Sequence, residues 1–175
     1  RTIVSQNSAF DKHVMGESGA MSEAAVRGSE LFRGKARCIL CHNGPNFTDN
    51  KFHNLGVPQV GSLKEDLGRF MVTRAQKDKG AFKTPTLRSV IETAPYMHDG
   101  SLATLEDVLR HYVSGIVDRP TISKDLARGL ELSDRERADL IAFLGTLTSA
   151  RDPALPDEIV PVKSGPTTPA AHAST

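Results

Sequence analysis

Apolar positions recur at helical spacing in three stretches of the chain, and each stretch begins with a residue suited to capping. The first runs from Ser22 to Phe32, where Ala24, Ala25 and Leu31 favour a helix, Ser22 caps its start and Gly34 is placed to end it. The second starts at Thr104, three residues before Asp107, and puts Leu105, Val108, Leu109 and Tyr112 on one face up to about Ser114. The third starts at Ser133, three residues before Glu136, and carries Leu140, Ile141, Phe143, Leu144 and Leu147 to about Thr148.

Between these stretches the periodicity lapses. Residues 43–65 are rich in Gly, Asn and Pro and read as loop, with a short helix expected around Asp66 to Arg74. The stretch "AFKTPTLRSVIETAPYMHDGS" reads as ordered loop with one helical turn near Leu87 to Ile91, and a loop of that length within a domain is usually functional. Residues 1–21 read as an extended lead-in, and 22–148 as the domain proper. Residues 149–175, with five prolines among Ala, Ser and Thr, read as a linker-like tail expected to be held in place. The expected class is mainly α: a helical domain with long ordered loops.

Composition narrows the function. The 175 residues suit one domain, and a net charge of +1 gives no steering toward nucleic acid. No apolar run approaches the roughly 20 residues of a membrane span. The first residue is Arg1 and no leader pattern follows, so the chain is expected to be mature, processed or part of something longer. Trp is absent and aromatics make up 5%, a small core of the kind that leans on a cofactor for packing.

The two cysteines, Cys38 and Cys41, are separated by two residues and followed at once by His42. Two thiols at this spacing can each add to one vinyl group of a haem, and the adjacent histidine then reaches the iron. A structural zinc site would need a second ligand pair, and a redox dithiol a βαβ setting; neither is in the sequence. The pattern predicts one covalent haem c, a cytochrome c-like arrangement with Leu31 and Phe32 meeting Phe143 and Leu144 beside it, and a periplasmic or similar location. His42 supplies one axial ligand, and the other decides the chemistry. The candidates are Met71, Met97, His53, His98, His111 and Tyr112. On the residues alone Met97 and Met71 rank above Tyr112, which reads as a packed core tyrosine, while His111 is expected to point away into solvent.

The segment "RGSELFRGKARCILCHNGPNFTDNKFHNLGV", with "GRFMVT", "GAFKTPTLRSVIETAPYMHDGSLATLEDVLRHYVSG" and "LSDRERADLIAFLGTLT", resembles the C-terminal haem domain of the bacterial dihaem cytochrome c peroxidase family. The resemblance covers about residues 22–148. Within the family it is nearest to the branch that matures the tryptophan tryptophylquinone cofactor of methylamine dehydrogenase. In that family one haem reacts with peroxide and the C-terminal one passes or stores electrons. The resemblance implies Tyr112 as the sixth ligand, a tyrosinate whose negative oxygen offsets charge on oxidised iron, with Met97 in reserve. It also implies a calcium ion held in part by the backbone carbonyls of Thr93 and Pro95. Arg69, Arg88 and His98 are the candidates to meet a haem propionate.

One part of the family pattern is missing: the sequence has no second Cys-x-x-Cys-His. The expected function is therefore a haem domain or subunit that relays or stores oxidising equivalents for a peroxide-reacting haem held elsewhere. A second haem domain or chain, and an electron-donor or substrate protein, would be its partners. The alternative is a stand-alone monohaem electron-transfer cytochrome c.

Overall fold

The computed structural model describes residues 7–59 and 65–149. The tail expected at 149–175 lies outside the described residues except for Ser149. The described part is helix-rich. Its helices are α1 (Ala9–Val14), α2 (Glu23–Arg33), α3 (Phe70–Thr73), α4 (Leu105–Arg110) and α5 (Asp134–Gly145). The short strands β1 (Phe52–His53) and β2 (Phe82–Lys83) pair antiparallel, with Phe52 opposite Lys83 and His53 opposite Phe82. No described helix is long and apolar enough to cross a membrane.

The long helices start where their caps place them. Ser22 accepts a hydrogen bond from the Ala25 amide, and Ser133 and Thr104 form reciprocal capping boxes with Glu136 and Asp107. Gly34 closes α2, its amide bonding the Glu30 carbonyl. Beyond α4 the chain widens into a π-helical turn, His111–Gly115, a distortion frequent at functional sites. The helical turn expected near Leu87 to Ile91 is a 3-10 turn at Val90–Glu92.

Helices α2 and α5 pack against each other to form the core. Phe32 and Phe143 are almost fully buried, their rings 5.1 Å apart. The helices come close because of Gly28: a Cβ there would overlap the Asp139 carbonyl of α5. Outside this contact Arg27 forks onto Asp139, its Nε and Nη2 each donating at 2.8 Å.

The extended lead-in expected over residues 1–21 is corrected within the described part. Ser8 forms a capping box with Asp11 and starts α1, which inserts Phe10 among the core rings. Phe10 lies 5.1 Å from Phe47 and 5.9 Å from Phe143. The apolar content of this segment is too sparse to show a helical period, but one phenylalanine at the right position is enough to dock it. The region 43–65 likewise contributes a strand, too short for alternation to be visible in the sequence.

Candidate haem site

The site is built on a 3-10 turn, Cys38–Leu40, directly after α2. The His42 amide donates to the Cys38 carbonyl at 2.9 Å, so both cysteines and the histidine belong to one turn. Cys38 packs against the core cluster, and burial pushes its thiol up to about 12. Burial also raises Cys41, to about 11, with the nearby carboxylates of Asp49 and Asp125 adding to the shift. Both sulfurs are thus held as neutral thiols rather than reactive thiolates.

Burial lowers the pKa of His42 and keeps its imidazole neutral. Its Nδ1 lies 3.0 Å from the Phe47 carbonyl. A carbonyl can only accept, so Nδ1 carries the hydrogen and Nε2 carries the lone pair. That is the tautomer required of a metal-ligating histidine.

Tyr112 stands at the start of the π-helical turn and packs against the core cluster. Burial raises its phenol above the ordinary value, and charge on Cys38 and Cys41 would raise it further. Tyr112 is half-buried, and its hydroxyl makes no hydrogen bond to a described residue. The expectation for His111 is also corrected. It is buried, and its Nε2 donates to the Leu55 carbonyl at 3.0 Å, a bond that compensates the imidazole for losing water.

The other candidates are scattered. His53 has both ring nitrogens engaged, with Asp49 at 2.7 Å and Ser123 at 3.2 Å, and neither is free for iron. Met71 sits exposed on α3. Met97 is half-buried in the loop before α4, at a positive φ of 69°. Arg69 lies over the Phe52 ring at 4.0 Å and pairs with Asp78. His98 stacks on Phe82 at 3.7 Å. Arg88 is committed elsewhere: it forks onto Asp11 at 2.8 and 3.0 Å and donates to the Pro45 carbonyl at 2.9 Å. Thr93 and Pro95 are exposed, and their carbonyls accept no hydrogen bond from the described residues. Sequence reasoning missed the Asp49–His53 pair, which lies beside the Cys41 sulfur. Its i,i+4 spacing was visible, but nothing local showed that it would be buried.

The arrangement fits a covalent haem. Two thiols and a histidine share one turn, and Tyr112 packs against the same core cluster as Cys38.

No protein-family model matches the chain. The methylamine utilization protein MauG of Methylorubrum extorquens is 44% identical over 147 residues, 84% of this chain and 41% of its own length. The cytochrome-c peroxidase IdrP1 of Denitromonas iodatirespirans is 37% identical, over 93% of this chain and 52% of its own. Among solved structures, a MauG-like protein associated with microbial copper homeostasis superposes with a TM-score of 0.71 and 33% identity, over 82% of this chain and 48% of that one. The chain belongs to the dihaem cytochrome c peroxidase family. The family implies haem c as a cofactor. The diheme peroxidase BthA of Burkholderia thailandensis shares the fold, with a TM-score of 0.66 at 23% identity. The chain spans about half the length of the relatives it matches, 41% and 52% for the two above.

Proposed function

We propose that this chain is a c-type haem domain of a dihaem peroxidase-like oxidoreductase in the periplasm. In this reading it relays or stores oxidising equivalents for a peroxide-reacting haem on another domain or chain. The observation that carries the reading is the Cys38–Cys41–His42 turn, with Cys38 and Tyr112 packed against the same core cluster, in a chain 44% identical to MauG over 84% of its length.

A haem bound here supplies one-electron redox chemistry. The chain's own residues determine how it does so. Cys38 and Cys41 would hold the porphyrin through two thioethers. His42 would ligate the iron through Nε2, its orientation held by the bond from Nδ1 to the Phe47 carbonyl. Tyr112 would be the second protein ligand, and as a tyrosinate it would favour the oxidised metal. Partial burial disfavours the Tyr112 phenolate, and a metal cation bound to the oxygen would offset that cost. Met97 is the reserve ligand. Arg69 and His98 are the candidates left to meet a propionate. The free carbonyls of Thr93 and Pro95 suit a calcium ion completed by ligands from a second domain. An electron-donor or substrate protein would complete the assembly.

Low-temperature EPR of the ferric protein, isolated from its source with whatever accompanies it, tests the reading. A low-spin signal with a comparable high-spin haem signal is expected. A single low-spin signal would overturn it in favour of a stand-alone electron-transfer cytochrome.

A further inference from the structure

Arg88 is the most highly bonded side chain near the site, yet its charge is turned away from any open surface. Its side chain is 8% exposed. Its Nη2 donates to Asp11 Oδ1 at 2.8 Å, and its Nη1 to Asp11 Oδ2 at 3.0 Å and Ser8 Oγ at 3.1 Å. Its Nε donates to the Pro45 carbonyl at 2.9 Å. The guanidinium also lies over the rings of Phe47, at 5.3 Å, and Phe10, at 5.8 Å.

Pro45 and Phe47 belong to the loop that leaves the cysteine–histidine turn. Phe47 carries the carbonyl that accepts the His42 Nδ1 hydrogen at 3.0 Å. Its backbone has a positive φ of 51°, a conformation that a phenylalanine holds only when its surroundings impose it. Three contacts impose it here. Arg88 ties down Pro45, the Thr86 hydroxyl donates to the Asn46 carbonyl at 2.6 Å, and the Phe47 ring is wedged among Phe10, Phe32 and Phe143. Two of these depend on the segment before α2: Asp11 neutralises Arg88, and Phe10 closes the ring cluster.

We propose that the Asp11–Arg88 pair is a positioning device for His42, through which α1 sets the hydrogen bond from His42 Nδ1 to the Phe47 carbonyl and so the potential of the haem. The chain of contacts runs from Asp11 to Arg88, to the Pro45–Phe47 loop, to the imidazole. A well-aligned carbonyl draws the Nδ1 hydrogen, makes the ring a stronger donor to the metal and favours the oxidised form. Loosening the pair lengthens that bond and favours reduction.

The inference rests on the haem ligation proposed above, and the test separates the two. The haem-loaded protein would be compared with its Asp11→Asn variant and with Asp139→Asn, which loses the Arg27 fork between α2 and α5 and removes no hydrogen bond to this loop. The readouts are the midpoint potential and the proton resonance of His42 Nδ1–H. For Asp11→Asn the potential is expected to rise, by up to a tenfold change in the one-electron equilibrium constant, about 59 mV, with the resonance shifted. Asp139→Asn should lower the melting temperature and leave both readouts in place. If Asp11→Asn lowers only the melting temperature, or if both variants move the potential alike, the pair is merely structural and the inference is overturned. Should Asp11→Asn fail to fold, Arg88→Lys keeps the charge but loses the fork, and the same shift is expected of it; an unmoved potential overturns the inference equally. A protein without a covalent low-spin haem spectrum would instead sink the ligation itself, before any variant is compared.

Discussion

Gly28 in α2 lies against the backbone carbonyl of Asp139 in α5, too close for any side chain to stand between them. That contact sets how closely the two core helices approach, and the aromatic packing beside the cysteine turn follows from it. Replacing Gly28 with Ala would force the helices apart. The isolated helix would gain from the change, so a loss of stability could come only from overpacking. A cost of about 1–3 kcal/mol is expected, read as a lower midpoint in urea unfolding; an unchanged midpoint would mean that the crossing is looser than described.

Phe143 contacts Phe10, Phe32 and Phe47, with ring centroids between 5.1 and 6.2 Å away. Phe143→Ala would remove the ring on which α1, α2 and the loop after the cysteine turn converge. A loss of about 3–5 kcal/mol is expected. Because the cavity opens beside Phe47, the haem-loaded variant should also show a changed absorption spectrum, which a cavity remote from the site would not give.

Tyr112→Phe removes only an oxygen, and one that bonds no described residue. The fold should therefore survive, with a melting temperature close to the parent's. If that oxygen is the sixth ligand, the optical spectrum and spin state of the ferric protein must change. An unaltered spectrum would remove Tyr112 and return Met97 to first place.

Acid should destabilise the chain in two stages. Burial holds the pKa of His111 below its ordinary 6.5, so the folded state binds its proton less readily than the unfolded chain. Its contribution is complete above that value and is lost as the pH falls through the folded pKa. Burial alone would raise Asp11, but hydrogen bonds from Arg88 and Ser8 outweigh it and hold the carboxyl below 3.8. Its contribution is present above the unfolded value and is lost as the pH falls through the lower folded one. Melting temperature followed against pH should fall first below about pH 6.5 and again below about pH 4. Asp11→Asn should flatten the second fall and His111→Gln the first.

The sequence by itself determined whatever is decided within a few residues. The spacing of Cys38, Cys41 and His42 puts two thiols and an imidazole on one turn wherever the chain goes next. The caps at Ser22, Thr104 and Ser133 start their helices because each satisfies an amide three residues on. Phe32 and Phe143 could be paired in advance because the cysteine–histidine motif implies a cytochrome c-like arrangement in which the helix before it meets the last helix. Tertiary structure decided the rest. Arg88 looked free for a propionate until Asp11, 77 residues away, was folded against it. His111 looked solvated until the Leu55 carbonyl, 56 residues away, gave it a buried partner. Gly28 and Phe10 carried no periodic signal at all. A buried polar group or a close backbone contact depends on what arrives from elsewhere in the chain, and local propensity does not record that.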